Sequence, residues 1–110
     1  MTKHFYIKIE GDLDKTDFNY YCQVGANKYG IDAIYLNGNS RDVELNAEGS
    51  PENLQSYVEF LQNGPLRPFI YTFDVTEQEV MNLRGFVSKR VHKDEKISLF
   101  TKLLKARGKK

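Results

Sequence analysis

The 110-residue chain is poor in the residues that build disulfide-bonded or metal-bound folds. Its single cysteine, Cys22, cannot close an internal disulfide and has no cysteine or histidine nearby at metal-ligand spacing. His4 and His92 are isolated, and no Gly-x-Ser-x-Gly or Walker-type loop occurs. The sequence therefore supports neither a disulfide scaffold nor a metal site. We expect no cofactor, and we interpret Cys22 as a packing residue of a helix.

Long apolar runs are also missing. A membrane-spanning helix needs about 18 to 20 consecutive apolar residues, and no stretch of the chain approaches that length. Residues 1–10 lack the apolar run of a secretory signal. We therefore expect a soluble, cytoplasmic protein that makes no membrane contact.

The charge of the chain is unevenly distributed. Residues 1–85 carry 7 Lys and Arg against 13 Asp and Glu, a net charge of 7 − 13 = −6. Residues 86–110 carry 9 against 2, a net charge of 9 − 2 = +7. Such a basic tail can bind a polyanion, fold back on the acidic body, or stay solvated. The aromatic residues lie mainly in the body and are not interleaved with the basic residues, which disfavours nucleic-acid binding by the tail.

The periodicity of the apolar residues predicts an α+β fold. Phe5, Ile7 and Ile9 alternate with polar residues as in a half-buried strand, and Ser50 followed by Pro51 is typical of a helix start. Residues 38–41 form a turn between two short strands. Strands are predicted over about residues 3–10, 31–37, 42–47 and 69–75, with one helix between a cap at Thr16 or Asp17 and Gly30, and a second over 51–62.

This β-α-β-β-α-β order predicts the ferredoxin-like arrangement, an antiparallel sheet with both helices on one face. We place that domain over residues 1–75 and a basic, mostly helical extension over residues 76–110, packed on it or trailing from it. Within the extension, Thr76 with Glu79 is a capping-box signature that predicts a short helix ending at Gly85. Residues 86–91 could add an edge strand, and residues from Asp94 to about 107 predict a basic helix.

Three segments in this order resemble the acylphosphatase family. The first runs from Gly11 to Phe18-Asn19, where the family has Gly, six loop residues, Phe and Arg. The second segment contains Tyr29-Gly30, Ala33-Ile34, Asn37 and Val43-Glu44. The third begins at Glu48-Gly49, includes the second predicted helix and ends at Gly64-Pro65. Gly-Pro and Glu-Gly pairs are common in turns of unrelated proteins, so the resemblance depends on the spacing of all three segments together.

The resemblance implies hydrolysis of the carboxyl-phosphate bond of acyl phosphates, without a metal or a covalent intermediate. In the family, backbone N–H groups of the first loop cradle the phosphate, an arginine clamps it, and an asparagine positions the attacking water. Fixed donors and a permanent cation stabilise developing negative charge. Asn37 matches the water-positioning asparagine, although an asparagine before Gly38 is also an ordinary hairpin residue. Asn19 stands at the arginine position.

A neutral asparagine is too short to replace a bidentate guanidinium, so we expect the phosphate clamp to be absent. The loop differs too, since its carboxylates repel phosphate and it lacks the glycines that ease an anion-binding backbone. Asp12 and Asp14 lack the further oxygen ligands of a calcium loop. The phosphate-loop counterpart consists of Asp12, Leu13, Asp14, Lys15, Thr16 and Asp17.

Three functions remain open. The leading hypothesis is an acylphosphatase-like domain without hydrolase activity, acting as an interaction or regulatory module with a protein partner. The alternative is an active acylphosphatase in which Lys15, or a basic residue of the extension such as Arg84 or Lys89, supplies the missing cation. The third hypothesis is nucleic-acid binding through the basic C-terminal helix. The sequence identifies no partner.

Overall fold

The computed structural model of the protein describes residues 1–39 and 42–90. Five strands and two helices follow one another along this part of the chain, with short 3-10 turns at Leu13–Lys15 and Arg67–Phe69. The order is β1 (Lys3–Gly11), α1 (Phe18–Tyr29), β2 (Asp32–Asn39), β3 (Asp42–Gly49), α2 (Pro51–Gln62), β4 (Ile70–Gln78) and β5 (Phe86–Arg90). The first two predicted helices and the first four predicted strands are therefore confirmed.

The strands form one sheet in the order β4-β1-β3-β2-β5. The first four strands pair antiparallel, as the ferredoxin-like prediction requires. β5 pairs parallel with β2, so the complete sheet is mixed. The edge strand that the sequence suggested over residues 86–91 is thus present over Phe86–Arg90.

The start of α2 and the end of α1 follow from local chemistry. Ser50 accepts a hydrogen bond on its hydroxyl oxygen from the Asn53 N–H at 3.1 Å, and Pro51 occupies the first turn of α2, where no intrahelical donor is needed. α1 ends at Gly30, whose φ of 65° is the left-handed conformation that glycine adopts without a steric penalty. Both signals were legible in the sequence.

The core lies between the helices and one face of the sheet. Alternate residues of the central strands point into it, among them Ile7, Ile9 and Leu45, which have no exposed surface. Cys22 is also fully buried there, and burial raises the pKa of its thiol well above the ordinary value. A neutral thiol in the core is inert, so the interpretation of Cys22 as a packing residue stands.

The helix predicted over residues 76–85 is wrong. β4 extends to Gln78, and residues 79–85, which we call the strap, cross the sheet face opposite the helices without forming a helix. The N–H groups of Met81 and Leu83 donate to the Glu48 carboxylate, and the Gly85 N–H donates to Asp32 at 2.9 Å. The N–H groups of the strap therefore donate to side chains that are distant in the sequence, and not within the helical turn that a capping box would begin.

The predicted basic helix from Asp94 to about 107 lies outside the described residues. The hypothesis that it binds nucleic acid therefore stays a prediction, as does the domain boundary at residue 75. Within residues 1–39 and 42–90, no helix has both the length and the apolar character needed to cross a membrane.

Candidate active site

The loop that follows β1 begins with a close approach of two backbone segments. Gly11 ends β1, and the N–H of Asp12 donates to the Phe69 carbonyl oxygen at 2.8 Å. Leu13 then turns into the core, where only 5% of its surface is exposed. This apolar side chain anchors the middle of the loop against the body of the protein.

Beyond Leu13 the loop closes into a 3-10 turn that uses its own donors. The Lys15 N–H donates to the Asp12 carbonyl oxygen at 3.2 Å, and the Thr16 N–H donates to the Leu13 carbonyl oxygen at 3.1 Å. The Thr16 hydroxyl donates to the same Leu13 oxygen at 2.8 Å. The N–H groups of Asp12, Lys15 and Thr16 are therefore engaged inside the protein and do not point together at a ligand.

The side chains of the loop give it a negative surface. Asp14, Lys15 and Asp17 are exposed, and the Asp12 carboxylate accepts a hydrogen bond from the Tyr71 hydroxyl of β4. Asp17 precedes α1 but makes no capping hydrogen bond with its side chain. The loop thus places two exposed carboxylates beside the N-terminus of α1, the position at which the family pattern would hold a phosphate.

Asn19 lies in the first turn of α1 and bonds to the edge of the sheet. Its Nδ2 donates to the Ser88 Oγ of β5 at 2.5 Å. Ser88 is in register with Tyr35 of β2, which is buried beneath α1. The side chain at the arginine position therefore ties the helix to β5.

Asn37 lies near the end of β2, on the helix-covered face of the sheet. It is opposite Val43 of β3, and the strand is irregular immediately after it. Its Oδ1 is buried and has no hydrogen-bond partner among the described residues. Because Asn37 follows Tyr35 by two residues, it lies about 7 Å along the strand from the level of Ser88. The structure therefore brings Asn19, Asn37 and the loop to the same end of the sheet.

The two basic residues proposed from the extension do not face this site. Lys89 is in register with Leu36, so its side chain leaves the sheet on the face opposite that of Asn37. Arg84 precedes Gly85, whose carbonyl oxygen accepts from the Ala33 N–H at 2.8 Å near the start of β2. Asn37 lies four residues beyond Ala33 along β2, about 13 Å away. Neither Arg84 nor Lys89 is positioned to replace the family arginine.

Comparison with known proteins agrees with this geometry. The family model for acylphosphatase matches residues 5–93. This chain belongs to the acylphosphatase family. Acylphosphatase from Bacillus subtilis is 33% identical over 79 residues, which cover 72% of this chain and 85% of that protein. Acylphosphatase from Bacillus licheniformis is 31% identical over 80 residues, which cover 73% of this chain and 87% of that protein.

The fold of the family is shared as well. The crystal structure of acylphosphatase from Bacillus subtilis superposes with a TM-score of 0.69 at 27% identity, covering 83% of this chain and 98% of that one. Because almost the whole of that enzyme is covered, the loop, Asn19 and Asn37 lie within the shared fold. Their individual roles stay predictions.

Sequence reasoning did not find Ser88 as the partner of Asn19, or the hydrogen bonds of His4. Ser88 stands 69 residues from Asn19 along the chain, so no local pattern links the two. His4 was interpreted as isolated, yet both of its ring nitrogens lie within hydrogen-bond distance of residues on β3. The only available signal was its place in β1, on the face opposite the apolar residues. Within the part of the chain that the structure describes, no three His, Cys, Asp or Glu side chains are grouped to hold a metal ion.

Replacing Asn19 by alanine should lower the free energy of unfolding by about 0.5 to 1.5 kcal/mol, the net value of one hydrogen bond. Ser88→Ala should have a similar effect, and the double variant should cost less than the sum because the partners share that bond. Urea unfolding measures the cycle. Asn27→Ala, on an exposed position of α1, is the control and should change stability by less than about 0.5 kcal/mol. Additive effects of Asn19→Ala and Ser88→Ala would contradict the contact.

Proposed function

We propose that this member of the acylphosphatase family does not hydrolyse acyl phosphates and acts as an interaction or regulatory module. The observation that carries the proposal is the side chain at the arginine position, which is an asparagine whose amide donates to Ser88. A neutral amide cannot supply the charge or the two parallel hydrogen bonds with which a guanidinium binds phosphate. Loss of an arginine that stabilises phosphoryl transfer costs about 10³ to 10⁵ in rate.

The loop supports the same proposal by a separate effect. Phosphate binding needs convergent N–H donors, and three N–H groups of this loop donate to carbonyl oxygens of the protein. The exposed carboxylates of Asp14 and Asp17 add repulsion of about 1 to 4 kcal/mol for each close pair with a phosphate, depending on screening. Charge and donors therefore both oppose anion binding.

One observation favours the alternative of an active hydrolase. The Oδ1 of Asn37 is buried and lacks a partner among the described residues, so it could accept a hydrogen bond from an attacking water. Lys15 is exposed and is the cation of the loop that could approach a bound phosphate. In that case Asn37 would position the attacking water, and Lys15 would bind the phosphate in place of the family arginine.

Hydrolysis of benzoyl phosphate at pH 7 separates the two functions. With acylphosphatase from Bacillus subtilis as the positive control, we expect kcat/KM of this chain to be at least about 10³-fold lower. Inorganic phosphate should produce no rise in the melting temperature, since a ligand stabilises only the state that binds it. Turnover within about tenfold of the control, or phosphate stabilisation that Lys15→Ala abolishes, would overturn the proposal and favour the active hydrolase.

A further inference from the structure

Away from the candidate active site, the sheet face opposite the helices carries a buried polar cluster. His4 of β1 has no exposed surface, and Asn46 and Glu48 of β3 are each 2% exposed. The His4 Nδ1 lies 2.7 Å from Glu48 Oε2, and its Nε2 lies 2.8 Å from Asn46 Oδ1. Polar groups this deeply buried are stable only when hydrogen-bonded, so the arrangement of their protons is constrained.

The Glu48 carboxylate fixes the direction of the hydrogen bond to His4. A carboxylate oxygen only accepts, so the His4 Nδ1 carries a hydrogen and donates it. The buried Asn46 Nδ2 has no partner among the described residues. Turning the Asn46 amide by about 180° would bring that Nδ2 to the His4 Nε2, so the amide can accept from the ring or donate to it.

The neighbours of Glu48 favour its ionised form. Its carboxylate accepts from three donors, which are the His4 ring and the N–H groups of Met81 and Leu83. Hydrogen bonds to a charged acceptor are about twice as strong as those between neutral groups, so a protonated carboxyl would hold all three donors less strongly. Burial by itself raises the pKa of Glu48, but the N–H of Met81, His4 and the N–H of Leu83 outweigh it and hold the pKa below its ordinary value.

We propose that His4 and Glu48 form a proton-controlled latch that holds the strap, and through it β5, on the sheet. Met81 and Leu83 of the strap bond directly to Glu48, and the strap continues through Gly85 into β5. β5 carries Ser88, the partner of Asn19. Adding a proton to Glu48 removes its charge and weakens its bonds to the two strap amides and to His4, so the strap and β5 detach together. The device is independent of acyl phosphate hydrolysis.

The other polar groups on this face do not replace Glu48. Asp32 of β2, in register with Glu48, accepts from the Gly85 N–H and so holds only the end of the strap. Tyr6 of β1 hydrogen-bonds Glu44 of β3, and burial together with that carboxylate raises the pKa of the tyrosine. Gln78 of β4, opposite His4, is uncharged.

The sign of the pH dependence follows from the lowered pKa of Glu48. Stabilisation by the latch is complete above the ordinary glutamate pKa of 4.5 and is lost as the pH falls through the lower pKa of the folded protein. Detachment of the strap is therefore expected in acid, below about pH 4.5.

Amide hydrogen exchange tests the latch. Glu48→Gln mimics the protonated carboxyl, and at pH 7 it should lower the protection factors of Met81, Leu83 and Val87 at least about tenfold while β1 and β3 stay protected. The matched control is Glu77→Gln, because the Glu77 carboxylate is largely exposed and pairs with Lys3 at 3.4 Å. That control should leave the strap unchanged. Unaltered strap protection in Glu48→Gln would overturn the proposal.

Two measurements on the unmodified chain remain decisive if Glu48→Gln fails to fold. Between pH 6 and pH 3, the protection factors of Met81 and Leu83 should fall before those of β1 and β3. ¹⁵N NMR at pH 7 should show the His4 Nδ1 bearing a hydrogen. A bare His4 Nδ1 at pH 7, or loss of strap protection only together with the whole sheet, would refute the latch.

Discussion

Replacing Asn19 by arginine alone should leave acyl phosphate hydrolysis at the level of the native chain. The new guanidinium would lose the bond to Ser88 that the asparagine makes. It would also meet a loop whose Lys15 and Thr16 N–H groups already donate to carbonyl oxygens. A cation that binds phosphate without convergent backbone donors leaves the developing charge of the transition state only partly stabilised.

Arginine at position 19 combined with a new loop should behave differently. If residues 12–17 are also replaced by the corresponding loop of acylphosphatase from Bacillus subtilis, kcat/KM for benzoyl phosphate should rise at least about 10³-fold above that of the native chain. The graft removes the carboxylates of Asp14 and Asp17 and restores the family's loop backbone. Leu13 is a buried anchor of the native loop, so stability must be measured beside activity in the grafted chain.

The control for this experiment is Asn37→Ala in the grafted chain. If Asn37 positions the attacking water, its loss should remove most of the gained activity while phosphate binding persists. Recovery of activity by Asn19→Arg without the loop would contradict the assignment of a separate deficit to the loop. Failure of a folded graft that binds phosphate would show that the site lacks more than the clamp and the loop.

The fold was predictable where short stretches carry their own signals. The Ser50 cap, the left-handed Gly30 and the alternation of β1 depend on neighbours in the sequence, and the structure confirms each of them. The strap was not predictable in this way. Its conformation depends on Glu48, which accepts from Met81 across a separation of 33 residues. Thr76 and Glu79 gave a local helix signal, and the tertiary contact outweighed it.

The candidate site was likewise predictable in part. Spacing placed Asn19, Asn37 and the loop together because the family pattern records a fold in which they converge, and the match over residues 5–93 confirms the family. Spacing could not reveal what each side chain contacts. The Asn19 bond to Ser88 and the Tyr71 bond to Asp12 join residues 69 and 59 positions apart. Such contacts are set by the docking of β5 and β4, which no local pattern encodes.

Gly11→Ala should be among the most damaging single substitutions in the protein. A Cβ atom on Gly11 would lie 2.0 Å from the Phe69 carbonyl oxygen and 3.0 Å from the Ile70 Cα, both of which are backbone atoms that cannot rotate away. The end of β1 would have to separate from the start of β4, and the bond from the Asp12 N–H to Phe69 would be lost. Overpacking and the lost bond together should lower the free energy of unfolding by at least about 3 kcal/mol.

Gly30→Ala is the matched control, because it isolates backbone strain from steric overlap. Gly30 has a φ of 65°, but a Cβ there would meet only the Asn53 Nδ2, at 3.9 Å. An alanine in the left-handed conformation costs about 1 to 2 kcal/mol. Urea unfolding should therefore rank Gly11→Ala as clearly more destabilising than Gly30→Ala. Equal losses of unfolding free energy would show that the close approach of Phe69 to Gly11 does not hold the loop after β1 in place. The hydrogen bond from the Asp12 N–H to Phe69 would then no longer be an argument against phosphate binding by this loop.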